Sequence, residues 1–159
     1  MRFAVSDENA MEKLGESIAR VLESGDTLLL TGVLGAGKTT LVRGIARGMG
    51  YEGRVTSPTF TLLNIYPARI HLYHFDFYRL EAEDIADLGL EDYLERDGIS
   101  LVEWPQAAGD SLPYEAWLLD IALVNDDYDR ERLVTMFARG ERYQEKLKEL
   151  EKKHAPTGY

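Results

Sequence analysis

The sequence predicts an α/β fold in three layers, with helices packed against a central sheet. The first observation behind it is the order strand, glycine-rich loop and helix within residues 27–46. Residues 27–31 are an apolar run of strand length, and residues 40–46 space their apolar side chains as a helix does. The second observation is that two further apolar runs each end in an acid, at Asp76 and at Glu103. Open α/β sheets place their ligands beyond the carboxyl ends of such strands.

The first half of the chain is predicted to alternate between strands and helices. In chain order, we expect a strand at 2–5, a helix at 7–23, a strand at 27–31, a helix from 40 to about 50, and strands at 62–66 and 70–75. The first helix is predicted because Met11, Leu14 and Ile18 follow a helical spacing. Gly25 is expected to cap its end, since glycine readily adopts the left-handed conformation that ends many helices.

The second half of the chain continues this pattern. We expect short helical pieces at 81–87 and 91–96, strands at 99–102, 116–124 and 132–137, and a charged helix at 142–153. The last two strands are expected to pair antiparallel, because residues 125–127 have the composition of a turn. We assign residues 1–140 to one domain, and we expect the charged helix and tail, residues 141–159, to belong to the same domain.

Length and composition restrict the class of protein. At 159 residues the chain has room for one domain of ordinary size, and its 45% hydrophobic residues suffice for a core. No run of about 18 apolar residues occurs, so no membrane-spanning helix is expected. The first eight residues turn acidic too early for a secretory signal. The lack of cysteine excludes disulfides, thiolate zinc sites and a cysteine nucleophile, and it suits a protein of the cytoplasm.

The chain is acidic, with 28 Asp and Glu residues against 18 Lys and Arg and a net charge of −10. A protein that grips nucleic acid by itself usually shows a basic face. If this protein serves a nucleic-acid pathway, we therefore expect a protein partner to hold the nucleic acid.

The glycine-rich loop, residues 32–39, fits the pattern G-x-x-x-x-G-K-[ST] at every fixed position. Its glycines let successive backbone N–H groups point at an anion, and the helix that follows adds its N-terminal dipole. Lys38 supplies a mobile positive charge for the β- and γ-phosphates, and the Thr39 hydroxyl is placed to ligate Mg²⁺. The loop is thus a phosphate-binding loop (P-loop), and we expect the protein to bind a nucleoside triphosphate with Mg²⁺.

The acids at the strand ends are the other candidates for chemistry. Asp76 and Glu103 would both face the metal and the γ-phosphate. The pattern alone leaves open which acid contacts Mg²⁺ and which orients water or a hydroxyl. His71 and His74 lie three positions apart on one strand and so on opposite faces, which argues against a shared metal ion. We expect them to be ordinary core or surface histidines.

Four segments together resemble a known family. They are residues 32–40, the run Ser57-Pro58-Thr59-Phe60-Thr61-Leu62, the run His74-Phe75-Asp76-Phe77-Tyr78-Arg79-Leu80 and the run Leu101-Val102-Glu103-Trp104-Pro105. In this order and spacing they resemble the bacterial tRNA threonylcarbamoyladenosine biosynthesis ATPase family TsaE. The similarity spans roughly residues 3 to 137, and the last three segments together are highly specific for the family.

The resemblance implies a small P-loop NTPase-like fold with a mixed, mainly parallel sheet. It implies an ATPase that uses ATP and Mg²⁺ and assists formation of the threonylcarbamoyl group on adenosine 37 of tRNAs that read ANN codons. Family members bind a complex of the transferase TsaD with its partner TsaB, and ATP hydrolysis resets that complex between turnovers. Contact with tRNA would then be indirect, through the partners. The sequence does not fix the oligomeric state, and we expect a monomer.

The resemblance also implies roles for single residues. Those matched to nucleotide contacts are Glu8, Gly35, Ala36, Gly37, Lys38, Thr39, Thr40, Trp104 and Arg130. Thr39 and Glu103 would hold the metal ion. Asp76 would position or activate the attacking water, with Lys38 and Thr59 acting on the γ-phosphate.

Three alternatives use the same loop. A small-molecule kinase would close an arginine-bearing lid over the phosphates, for which residues 129–132 and 139–142 are candidates. Acids offset those arginines, and no separate acceptor-binding insert is evident. A GTPase would carry an Asn-Lys-x-Asp signature, which this chain lacks. A pure nucleotide-binding module stays open, because very slow hydrolysis without partners would look like binding alone.

Overall fold

The computed structural model describes residues 1–94 and 97–153, and in them the chain forms seven strands and five α-helices. The strands are β1 (Arg2–Val5), β2 (Thr27–Thr31), β3 (Leu63–Tyr66), β4 (Leu72–Asp76), β5 (Ile99–Glu103), β6 (Ala116–Val124) and β7 (Asp127–Arg139). The helices are α1 (Glu8–Ala19), α2 (Lys38–Gly48), α3 (Ala82–Ala86), α4 (Leu90–Leu94) and α5 (Glu141–Lys153). A 3₁₀ segment at Pro105–Ser111 follows β5.

All seven strands join one sheet in the order β1-β7-β6-β2-β5-β4-β3. The central pairs β6–β2, β2–β5 and β5–β4 are parallel, and the outer pairs are antiparallel. Because β1 and β6 both run antiparallel to β7, strands β1, β2, β4, β5 and β6 share one direction. The expected mixed, mainly parallel sheet is therefore confirmed.

Helices cover both faces of this sheet, which confirms the three layers. Leu28 and Leu30 of β2 face one cluster, which holds the apolar side chains of α1, α2 and α5. Leu29, between them, faces the opposite cluster, which includes Ile85 of α3 and Leu90 of α4. The period of two along a strand thus sends neighbouring leucines to different cores. Within the described residues no helix is long and apolar enough to cross a membrane.

Most predicted elements are present, and the differences have local causes. Helix α1 ends at Ala19 rather than at 23, because the next three N–H groups bond three residues back and tighten the chain. Gly25 is therefore not its cap; it has φ +92° in the turn before β2. Strand β7 begins at Asp127 rather than 132, since a turn with positive φ at Asn125 and Asp126 closes the hairpin tightly.

Other differences concern the segments on either side of β5, the strand that ends in Glu103, and the end of the chain. The 3₁₀ segment after β5 was not expected from the sequence. The helical piece expected at 91–96 is α4, which lies at 90–94, and residues 95–96 lie outside the described part of the chain. The tail expected beyond α5, residues 154–159, also lies outside it.

Helices α1 and α2 approach each other through glycine. A Cβ atom on Gly44 would lie 2.2 Å from the carbonyl oxygen of Glu12, and one on Gly15 would lie 2.5 Å from the carbonyl oxygen of Leu41. These neighbours are backbone atoms, so relief would require the helices to separate. The close contact fixes α2, and with it the P-loop that precedes α2.

We expect Gly44→Ala to lower the free energy of unfolding by about 2 kcal/mol or more. Overpacking against backbone outweighs the helix propensity gained, which is about 1 kcal/mol. Urea unfolding followed by circular dichroism measures the change. Lys13→Ala, at an exposed position of α1, is the control. A Gly44→Ala protein as stable as this control would show that the two helices can separate at little cost.

Candidate functional site

A cleft of about 690 Å³ opens at the carboxyl ends of β2, β4 and β5. Every site residue expected from the sequence lines it: Glu8, Gly35, Ala36, Gly37, Lys38, Thr39, Thr40, Thr59, Asp76, Glu103, Trp104 and Arg130. Residues far apart in the chain thus meet in one place. The structure shows their convergence, and their individual roles remain predictions.

The P-loop connects β2 to α2 and forms one wall of the cleft. Gly35 and Gly37 have φ of +77° and +118°, which side chains other than glycine rarely adopt. A Cβ on Gly32 would lie 2.6 Å from the carbonyl oxygen of Ile121. Gly37 is the N-cap of α2 and has no side chain to occupy the N–H groups of the first turn. The loop is therefore a backbone cradle at a helix N-terminus, which suits an anion.

Lys38 places its ammonium group inside this cradle. Its Nζ donates hydrogen bonds to the carbonyl oxygens of Gly32, at 2.5 Å, and Val33, at 3.0 Å. The same atom lies 4.3 Å from the centre of the Trp104 ring. Burial lowers the pKa of Lys38, and the negative charges nearby, Glu103 first, oppose that shift. Folding thus places a cation where its charge costs energy, and a bound phosphate would offset that cost.

Glu103 and Thr39 form a pair of oxygen ligands beside the cradle. Thr39 Oγ1 donates to Glu103 Oε2 at 3.1 Å, and Glu103 is 3% exposed. A hydroxyl and a carboxylate are the protein ligands that Mg²⁺ prefers, with phosphate and water oxygens completing its shell. Among residues 1–94 and 97–153 no three His, Asp or Glu side chains form a metal site by themselves. The pair thus suits a Mg²⁺ ion that arrives with phosphates.

Asp76 lies beside Glu103, because β4 and β5 pair these two residues in register. Its Oδ2 accepts hydrogen bonds from Thr59 Oγ1 at 2.8 Å and Ser57 Oγ at 3.1 Å. Its Oδ1 accepts one from the N–H of Tyr78 at 2.9 Å. A carboxylate oxygen can accept two hydrogen bonds. Oδ1 therefore keeps capacity for a second donor such as water, while the carboxylate itself is held in place.

Trp104 follows Glu103 in a left-handed conformation, with φ +58°. Its N–H bonds the carbonyl oxygen of Leu30 at 3.3 Å, and its ring packs on Tyr78 with 4.7 Å between ring centres. In this conformation the indole ring lies beside the Lys38 ammonium. Such strain costs roughly 1–3 kcal/mol and is concentrated at functional sites.

The β6–β7 hairpin holds the P-loop through residues that the sequence reading did not select. Arg132 Nε donates to the carbonyl oxygen of Ala36 at 3.0 Å, and Tyr128 Oη donates to that of Leu34 at 2.9 Å. Arg130, the expected arginine, lies between them and pairs with Glu131 at 3.3 Å. The register of β6 with β7 shifts between the pairs Val124–Asp127 and Leu123–Arg132, so strand alternation in the sequence could not have located these side chains.

His74 is another residue whose contacts were not foreseen. It is 0% exposed, and its Nε2 lies 2.5 Å from Glu103 Oε2. His71 is exposed and lies just before β4, outside the strand, so the expected arrangement on opposite faces of one strand does not apply. His74 is a core histidine, but one that contacts a candidate metal ligand.

Comparisons with known proteins agree on one family. The family model "Threonylcarbamoyl adenosine biosynthesis protein TsaE" matches residues 5–134. A tRNA threonylcarbamoyladenosine biosynthesis protein TsaE of Treponema pallidum is 39% identical over 79% of this chain and 94% of that protein. The protein of the same name from Haemophilus influenzae is 39% identical over 85% of this chain and 87% of its own length.

A solved structure agrees as well. The crystal structure of Bacillus subtilis YdiB matches with a TM-score of 0.84 and 33% identity, over 96% of this chain and 95% of that one. The family-specific segments, His74–Leu80 among them, line or adjoin the cleft. By its family model, its relatives and its fold, the chain belongs to the TsaE family of threonylcarbamoyladenosine biosynthesis proteins.

Proposed function

We propose that this protein binds and hydrolyses ATP with Mg²⁺ to support threonylcarbamoylation of adenosine 37 in tRNAs that read ANN codons. It would do so in the cytoplasm by binding and resetting a TsaB–TsaD transferase complex. The observation that carries the ATPase proposal is the convergence of Lys38, Thr39, Asp76 and Glu103 beside the P-loop in one cleft. Membership of the family supports the pathway.

The residues present fit a nucleoside triphosphate with Mg²⁺. The backbone cradle at the start of α2 and the Lys38 ammonium would hold the phosphates. Thr39 and Glu103 would hold the metal ion, which supplies charge neutralisation on the phosphate oxygens when bound. Trp104 and Arg130 also line the cleft and would contact the nucleotide.

Asp76 is the residue best placed to direct hydrolysis. Thr59 and Ser57 fix its Oδ2, which leaves Oδ1 to accept a hydrogen bond from the attacking water. Thr59 belongs to the segment between α2 and β3 and donates a hydrogen bond to Asp76. Contact of the γ-phosphate with Thr59 would therefore also change how Asp76 is held. The rate of ATP hydrolysis would then depend on the conformation of this segment, and a protein partner that contacts the segment would control that rate.

Action through a partner also agrees with the charge. A net charge of −10 disfavours direct binding to a tRNA backbone. The partner complex would hold the tRNA, and this chain would supply the nucleotide-dependent step.

ATP binding at equilibrium, measured by calorimetry with and without Mg²⁺, tests the proposed binding of ATP with Mg²⁺. Tighter binding in Mg²⁺ supports it, and no detectable ATP binding in either condition contradicts it.

Replacing the metal-side acid is expected to separate metal binding from nucleotide binding. Glu103→Gln keeps the size of the side chain and one acceptor oxygen but removes its charge. We expect the Mg²⁺ concentration for half-maximal effect on ATP binding to rise about tenfold or more. Asp120→Asn, which removes a charge near Lys38 from a residue outside the cleft lining, is the control. An unchanged Mg²⁺ titration for Glu103→Gln would place the metal ligand elsewhere.

A further inference from the structure

A chain of buried hydrogen bonds runs behind Glu103, away from the cleft. His74 Nε2 lies 2.5 Å from Glu103 Oε2, and His74 Nδ1 lies 2.9 Å from the hydroxyl oxygen of Tyr66. That hydroxyl also lies 3.2 Å from the carbonyl oxygen of Thr56. The chain thus joins the metal-side acid to residues 56–59, here called the 56–59 loop.

The members of this chain are buried and have few alternatives. His74 is 0% exposed and Tyr66 is 3% exposed, so water does not compete for their hydrogen bonds. Burial raises the pKa of Tyr66, which therefore keeps its hydroxyl proton at neutral pH. That single hydrogen serves either His74 Nδ1 or the carbonyl oxygen of Thr56. Asn64 Nδ2 donates to the same carbonyl oxygen at 3.1 Å and so helps to hold the loop.

The 56–59 loop also holds the other acid of the cleft. Ser57 and Thr59 both donate to Asp76 Oδ2. One short loop is therefore bonded to Asp76 directly, and the Tyr66 hydroxyl, which lies within hydrogen-bond distance of both Thr56 and His74, connects it to Glu103. Neither the P-loop motif nor the acids at the strand ends account for this second connection.

We propose that His74 is a positioning residue for Glu103, and that Tyr66 ties this pair to the 56–59 loop. The carboxylate on the metal side and the loop that carries Thr59 are then fixed together. Metal binding orders the loop, and the position of the loop sets the geometry of Glu103. The inference rests on the proposed Mg²⁺–ATP binding and adds two residues, His74 and Tyr66, that lie outside the P-loop motif.

The test measures ATP affinity as a function of Mg²⁺ concentration, using calorimetry on the full-length protein. For His74→Leu, which removes the donor to Glu103, we expect the half-maximal Mg²⁺ concentration to rise about tenfold. The affinity for ATP without Mg²⁺ is expected to stay within about twofold of wild type, because the P-loop is untouched. His74→Gln, whose amide nitrogen can reach the position of Nε2, is expected to restore most of the Mg²⁺ response.

Tyr66→Phe tests the connection to the loop. It keeps the ring and the His74–Glu103 bond but removes the hydroxyl. We expect a rise of about threefold in the half-maximal Mg²⁺ concentration and faster amide hydrogen exchange at residues 55–61 in the Mg²⁺–ATP state. Tyr73→Phe is the matched control, since Tyr73 is buried on the opposite face of the sheet and packs on Tyr93. The control is expected to leave both readouts unchanged.

The outcomes separate this inference from the proposed function. Wild-type protein without Mg²⁺-dependent ATP binding would overturn the proposed function and the inference with it. If ATP binding by wild type depends on Mg²⁺, and His74→Leu and Tyr66→Phe both show the same Mg²⁺ dependence as wild type, only the inference fails. If the variants weaken ATP binding equally with and without Mg²⁺, His74 and Tyr66 have a general packing role, and the inference is also overturned. Should His74→Leu not fold, His74→Gln and Tyr66→Phe provide the same comparison.

Discussion

Lys38→Ala is expected to weaken the binding of ATP by about 100-fold, or about 3 kcal/mol. Its ammonium is the cation inside the P-loop cradle, and burial has already removed much of its hydration. A phosphate would replace that lost hydration, so the interaction is stronger here than at a surface. Calorimetric titration with ATP and Mg²⁺ measures the loss.

The same substitution is not expected to unfold the protein. The variant removes the donor to the carbonyl oxygens of Gly32 and Val33, which costs stability, and it also removes a charge whose burial lowers the pKa of Lys38. Because these two effects oppose each other, we expect a melting temperature close to that of wild type. Lys13→Ala, at an exposed position of α1, controls for the loss of a lysine as such. Wild-type affinity in Lys38→Ala would mean that phosphate is not bound in this cradle.

Asp76→Asn is expected to lower the rate of phosphate release by about 100-fold or more while ATP binds within about threefold of wild type. The amide keeps the shape of the side chain but loses the charge that orients water at Oδ1. Because the phosphates are held by the P-loop, binding does not depend on this charge. The rate is measured with partners present, and the affinity is measured by calorimetry.

A matched variant separates this effect from a general change in charge. Asp120→Asn removes an acid that also lies near Lys38 but outside the cleft lining. We expect it to hydrolyse ATP within about threefold of wild type. If Asp76→Asn turns over as fast as Asp120→Asn, the role assigned to Asp76 is wrong.

The fold was predictable because its strands carry strong local signals. Residues 27–31 and 99–102 are mostly apolar, as is typical of strands buried on both faces, and both strands are central in the sheet. The end of α1 was not predictable from spacing. Val21 and Leu22 continue the apolar pattern and are buried, yet the backbone there already forms a tighter turn. Periodicity reports which side chains are buried, and it does not report the hydrogen bonds of the backbone.

The meeting of the P-loop with the two acids could be predicted, but the contacts among these residues could not. The P-loop and two acids at strand ends were enough to expect convergence, because parallel strands end at one edge. The pairing of Asp76 with Glu103 depends on the register between β4 and β5, which single strands do not encode. His74 bonds to Glu103 only because these strands are neighbours, so the sequence showed a histidine without its partner.

Arg132 shows a different limit. The motif comparison pointed to Arg130, and both arginines line the cleft. Only the folded hairpin shows that Arg132 bonds the P-loop carbonyls while Arg130 pairs with its neighbour Glu131. The register of the β6–β7 hairpin shifts just before Arg132, a feature of the fold that the sequence pattern does not reveal, so the sequence could not rank the two arginines.

The most direct test of the proposed function is phosphate release from ATP, measured for this protein alone and with a cognate TsaB–TsaD complex. No small-molecule acceptor is added, and the complex alone is the blank. We expect slow release by the protein alone and a strong increase when the complex is present. No increase with a complex that is active in tRNA modification with another TsaE protein would contradict a partner-activated ATPase.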